Sequence, residues 1–307
     1  MRKASLQFLE ELVNTPSPSG REARGQRVWL DYVKQYADET SSDAYGNVVA
    51  TINKGGGPRL MIAAHADEIA MNLNYVDANG YLYVRKLGGI DAAITKAQRV
   101  TVHTRKGPVL GVVGNVAPHL SKVGGKREVP TISDLFIDIG VDSKKEAEKL
   151  VRIGDTITLN AQFEVLRGDK VVARAFDNRV GTFAVAETLR LLSANKSKLK
   201  CEVCFVSNTM EEIGCLGARQ IAYSLNPDVA LVVDVTHATD YPTVSKQIHG
   251  DIKIGKGPTL THGTNNHVEV VERLERVAKS KKIPLQHEAN SATSGTDTDV
   301  IFWTRGG

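Results

Sequence analysis

Four places in the 307-residue chain put ionisable side chains where an apolar run stops or a helix begins. The run LMIAA ends at His65, Ala66, Asp67 and Glu68; CFVS leads into Glu211 and Glu212; LVVDV carries Asp234; and Asp177 precedes a helical stretch starting near Asn178. Taken singly, each has an ordinary role. Asp177 can cap a helix, Glu211 and Glu212 can be first-turn acids that suit the helix dipole, and His65 can be a hydrogen-bonded loop residue. Asp234, beside a Val-Val pair late in an apolar run, has to be paired, hydrogen-bonded or bound to a metal. Taken together they predict more. In open α/β sheets the loops at the carboxyl ends of strands converge on one edge, and carboxylates gathered there repel one another unless cations neutralise them. One imidazole with several carboxylates suits zinc, cobalt or manganese better than calcium, and the lack of thiolate ligands argues against a structural zinc. Such a set can bridge two divalent ions about 3.5 to 4 Å apart, the arrangement of two-metal hydrolytic sites.

The elements that must position these residues follow an α/β rhythm with one interruption. Helical spacing predicts a helix at 5–14 and, after the breaker TPSPSG, another at 21–36. NVVATI and LMIAA read as strands, the second a buried central one. From 69 to 163 the texture changes to short alternating segments with hairpin punctuation, YVDANGYLYV, RVTVHTRKGPVLGVVG and DTITL among them. Helices are then expected at 178–193, after Gly214 and after Asn266, alternating with the strands EVCFVS, DVALVVDV and IPLQHEA, and TDVIFW reads as a closing strand. The predicted organisation is an α/β domain with a mixed sheet, built from residues 1–68 and 164–307, carrying an inserted, mostly β unit at 69–163.

Bulk composition narrows the class. At 41% hydrophobic the chain can bury a sizeable core, and 39 basic against 35 acidic residues leave a net charge of +4 with no basic stripe for nucleic acid. No apolar segment approaches the roughly 18 residues of a membrane span, and the N-terminal apolar spacing is broken by Glu10 and Glu11, unlike a signal-peptide core. A cytoplasmic protein without nucleic-acid or membrane partners is expected. Cys201 and Cys204 have redox-motif spacing but lie in a strand-like run, where they read as small buried hydrophobes.

Five ordered motifs, HADEI (65–69), AFDNRVG (175–181), MEEIGCLGA (210–218), DVTHATDYP (234–242) and GTDTD (295–299), resemble the M42 family of dinuclear metallo-aminopeptidases, which includes the tetrahedral and glutamyl aminopeptidases. The likeness covers essentially the whole chain. It implies two divalent ions, zinc or cobalt before manganese, with Asp177 bridging them, His65 and Asp234 completing one site and Glu212 holding the other. It implies Glu211 as general base and Asp67 as the acceptor that orients His65. It also implies a small β-barrel-like dimerisation domain at the insertion, a homo-oligomer of dimers up to a dodecamer, and peptide substrates.

Thr296 and Asp297 of the GTDTD loop are read as lining the substrate pocket, with a solvated turn as the plain alternative. His119 matches a family-like stretch in the insertion, with an ordinary loop histidine as its alternative. The resemblance leads one to expect a last metal-binding histidine beyond GTDTD, whereas the sequence stops at Gly307. The chain is therefore read as C-terminally truncated, with a weakened second metal site. His262, His267 and His287 are the nearest remaining histidines, and none sits in the family's ligand context. Two competing readings are a non-catalytic scaffold and a glycosidase. The latter needs two carboxyl groups about 5 to 9.5 Å apart and commonly aromatic platforms, which an aromatic content of 6% supports poorly.

Overall fold

The computed structural model describes residues 1–120 and 129–306. Helices α1 (Lys3–Asn14) and α2 (Ala23–Val33) lead into strands β1 (Glu39–Ser42), β2 (Val48–Ile52) and β3 (Arg59–His65). Next come β4 (Ala70–Val76), β5 (Leu82–Leu87), the short helix α3 (Ala92–Thr95), β6 (Arg99–Thr104), β7 (Gly107–Gly114), β8 (Phe136–Asp138), α4 (Lys144–Leu150) and β9 (Thr156–Leu159). A hairpin, β10 (Glu164–Arg167) and β11 (Lys170–Val172), precedes α5 (Phe176–Ser193), β12 (Glu202–Asn208), α6 (Leu216–Leu225) and β13 (Val229–Val232). The chain continues through α7 (Lys246–His249), β14 (Thr259–His262), α8 (Val268–Lys281), β15 (Gln286–Ala289) and α9 (Thr298–Ile301).

The main sheet has the order β1-β2-β12-β3-β13. It is mixed: β12 runs antiparallel to β2 but parallel to β3, and β13 is parallel to β3. Every residue of β12 is buried, as expected for a central strand covered on both faces, so its sequence shows a continuous apolar run instead of alternation. One face packs against α1, α2 and α5 through Phe8, Leu12, Trp29, Phe183 and Phe205. The other packs Met61, Val206 and Cys204 against Ala218 and Ile221 of α6 and Ile301 of α9. Burial of Cys204 fits its reading as a small hydrophobe, and all three cysteines are free thiols. The parallel register sets Asn208 beside His65 at the carboxyl edge.

The six strands from β4 to β9 close into a barrel, β4-β5-β8-β7-β6-β9. Their inward residues, including Met71, Leu82, Val102, Ile137 and Ile157, form a separate core. In β5, Leu82 and Val84 face in while Tyr83 and Arg85 face out, the period-two pattern of a strand wet on one side.

A buried charge cluster ties the first helix to the sheet edge. Glu68 pairs with Arg174 and Arg179 at 2.8 Å each and accepts the Ser17 N–H at 2.9 Å. The fully buried Arg179 also donates to the carbonyls of Leu12, Thr15 and Ala66. A guanidinium with this many acceptors replaces the hydration it loses.

Two sequence expectations are corrected. TDVIFW closes as a helix rather than a strand, because Asp299 accepts the backbone N–H groups of Ser294 and Gly295 and winds the preceding loop into a turn. DVALVVDV is a strand only over Val229–Val232, since the Asp234 carboxylate accepts the Val235 N–H and takes that residue out of the ladder. The β10–β11 hairpin turns through Gly168 and Asp169, with Gly168 at φ 64°.

Candidate metal centre at the sheet edge

His65 is the last residue of β3 and is 1% exposed. Its Nε2 lies 3.1 Å from Asp177 Oδ1, 3.7 Å from Glu211 Oε2 and 3.8 Å from Asp234 Oδ1. Three separate elements thus aim carboxylates at one imidazole nitrogen: the start of α5, the turn after β12 and the loop after β13. Asp177 and Asp234 are tied to each other through Asn178, whose Nδ2 donates to the Val233 carbonyl at 2.8 Å. The Asp177–Asn178 peptide is cis.

Asp67 organises the rest. Its Oδ1 lies 3.3 Å from His65 Nδ1 and accepts the Glu211 N–H at 3.0 Å, while Oδ2 accepts the Glu212 N–H at 3.2 Å and the Ser19 hydroxyl at 2.6 Å. One buried carboxylate therefore holds both the imidazole and the peptide groups of the two glutamates. The chain turns at Met210, whose φ is 57°. Glu22 supports that turn by accepting the Met210 and Gly20 N–H groups, and burial pushes its carboxyl up to about 7. Asn47 does the same one residue earlier, accepting the Thr209 N–H at 2.9 Å.

Glu212 points toward the barrel side of the cleft. A Cβ built on Gly88, just after β5, would sit 3.1 Å from Glu212 Cβ and 3.3 Å from its Oε2. With φ at +79° as well, that position takes only glycine comfortably. Gly88, Glu22, Ser19, Asn47 and Asn178 were not singled out from the sequence. Glycine and Asn-Arg after a strand or before a helix are too common to mark a site, and only their contacts distinguish them.

The charge state shows what the cluster lacks. Burial raises Glu211 to about 7, Glu212 to about 8 and Asp234 to about 6, with neighbouring carboxylates adding to each. Burial opposes a charge on His65, yet its hydrogen bond with Asp177 and the neighbouring Asp67 carboxylate carry its pKa well above the usual histidine value. Asp67 is buried too, but His65 and its hydrogen-bond donors hold it ionised, below its ordinary range. Among the described residues no Lys or Arg forms an ion pair with Asp177, Glu211, Glu212 or Asp234, and His65 is the basic partner of Asp177, Glu211 and Asp234. Ligand atoms of His65, Glu211 and Asp234 all lie within 4.8 Å of one another. One nitrogen and several oxygens around a point short of positive charge fit a divalent transition-metal ion.

The GTDTD loop reaches the same place. Asp297 is 1% exposed; it accepts the Asn208 amide at 2.7 Å and gathers with Glu211 and Cys215. Thr296 stays half-buried and shares a hydrogen bond with Ser294. His119 is exposed on a short turn after β7. His262 and His287 form a cluster of their own with Glu275, and His267 immediately precedes α8. A broad cavity of about 990 Å³ lies on the barrel, lined by Tyr75, Tyr83, Arg85 and Thr131 among others, and none of the residues around His65 borders it. Chemistry, not volume, identifies the site.

The mixed α/β fold with its closed six-stranded barrel matches that of solved TET aminopeptidases. The chain belongs to the M42 glutamyl aminopeptidase family, matched over residues 46–307. It is 33% identical to the lysyl aminopeptidase of Pyrococcus furiosus, over 98% of this chain and 86% of that protein. The TET aminopeptidase of a marine-sediment archaeon of the Thaumarchaeota superposes with a TM-score of 0.94 at 32% identity, over 99% of this chain and 86% of the other. The TET1 peptidase of Pyrococcus horikoshii, described as assembling into a tetrahedron or a large octahedral shell, gives 0.84 at 30% identity, over 96% and 87%. Among the described residues no helix is long and apolar enough to cross a membrane.

Proposed function

We propose that the protein is a metal-dependent aminopeptidase that removes residues from the free N-termini of short peptides. The observation that carries this is the His65 Nε2 nitrogen facing Asp177, Glu211 and Asp234 within 3.8 Å, without a neutralising Lys or Arg. His65 and Asp234 would hold one divalent ion, Glu212 a second, and Asp177 would be shared. Zinc or cobalt suits the donors best. When bound, such ions polarise the scissile carbonyl and make an attacking water more acidic.

The side chains do the rest. Glu211 takes a proton from the attacking water and passes it to the departing amine. Burial tunes it for this: a carboxylate raised toward neutrality is a stronger base than an exposed one. Asp67 holds His65 with its Nε2 toward the carboxylates and fixes the turn that separates Glu211 from Glu212. The units 1–68 with 164–307 and 69–163 are read as catalytic and dimerisation domains. The exposed outer face of β7, with Leu110 and Val112, supports a contact between barrels and so a homo-oligomer of dimers.

The test is amino-acid release from unblocked peptides, with abolition by chelators and recovery on adding zinc or cobalt. Equal rates on an N-acetylated and an unblocked peptide would reject the exopeptidase reading.

A further inference from the structure

A second set of ligand-type side chains lies away from the sheet edge, on the unit formed by β14, α8 and β15. The two strands are parallel, with Leu260 opposite His287 and His262 opposite Ala289. Because side chains alternate along a strand, His262 shares a face with Leu260 and His287 with Ala289. The two histidines are thus diagonal neighbours on one face. The helix joining the strands brings Glu275 to them. His262 Nε2 is 2.9 Å from His287 Nδ1, and Glu275 Oε1 is 3.7 Å from each nitrogen.

We propose that His262, His287 and Glu275 form a peripheral binding site for a divalent transition-metal ion such as zinc, separate from the centre at His65. The point equidistant from three atoms spaced 2.9, 3.7 and 3.7 Å lies about 2.0 Å from each, which is the length of a zinc bond to imidazole or carboxylate. The rings now meet nitrogen to nitrogen, their centroids 5.2 Å apart, in the manner of two imidazoles sharing one N–H. A cation takes the place of that proton once the rings turn about their terminal torsions. Side-chain exposures of 42%, 50% and 39% leave room for the turn, for the donor atoms to draw to one side of the ion and for a water to complete its coordination. Ligands from two strands and the crossover helix make the ion a clasp on this unit.

The experiment is equilibrium dialysis of the chelator-stripped protein against zinc, with zinc per chain counted by elemental analysis. His262→Ala and His287→Ala should each bind one ion fewer than the parent, and Glu275→Gln should weaken that binding step tenfold or more. His65→Ala should keep this ion. Peptide hydrolysis by zinc-reloaded His287→Ala should match the parent. His287→Gln, close in size, serves if circular dichroism shows the alanine variant misfolded. Equal zinc counts for the folded His287 variant and the parent would overturn the proposal, and would leave a hydrogen-bonded histidine pair.

Discussion

In the main sheet, β12 and β13 both run parallel to β3, so three strand ends and their loops meet on one edge. In the barrel every neighbouring pair is antiparallel, so strand ends alternate between two rims. Both regions are built from short, β-branched strands around an apolar core. The parallel arrangement concentrates the polar residues that end each strand, while the antiparallel one disperses them. His65, Glu211 and Asp234 converge for that reason. The barrel's share in the centre is limited to what its base contributes, chiefly the space that Gly88 leaves for Glu212. Chemistry and architecture are therefore separable by mutation.

The largest effect should come from Glu211→Gln. If Glu211 is the proposed base, removing its carboxylate while keeping the side-chain volume is expected to lower kcat by about 10² to 10⁴-fold without lowering Tm. Steady-state assays beside thermal melts check it, and a matching fall in Tm would show that Glu211 is structural. Next, Arg179→Met strands the Leu12, Thr15 and Ala66 carbonyls and should cost roughly 3–5 kcal/mol in urea unfolding.

Ile137→Ala empties a fully buried position in the barrel. It should cost about 2–4 kcal/mol yet leave kcat near the parent value below the transition. A large loss of kcat would break the contrast between the regions. The smallest effect is a pH dependence at Glu22, whose carboxyl is raised by burial from 4.5 to about 7. The folded state binds this proton more tightly than the unfolded one, so the contribution is complete below pH 4.5 and is lost as pH rises to 7. Stability should fall by roughly 1–3 kcal/mol across that window, and Glu22→Gln should flatten the slope measured by urea melts at stepped pH.

The candidate site was legible in part because strand ends are marked in sequence by the abrupt change from an apolar run to charge. LMIAA before His65 and CFVS before Glu211 show that change plainly. Asp234 was placed too far inside its strand, since an apolar run does not reveal where a side chain breaks the ladder. The closing helix was missed because VIF is too short to show a period, and Asp299 bonds the backbone of Ser294 and Gly295.

The sequence by itself determined the order of elements, the change of texture at the barrel and the residue types able to hold a cation, because each depends on local periodicity or composition. Tertiary structure alone decided that Asp67 clamps the glutamate turn, that Asn178 joins the Asp177 and Asp234 loops and that Gly88 makes room for Glu212. These contacts join residues from distant parts of the chain. No local pattern encodes a distance that exists only once parallel strands have set their ends side by side.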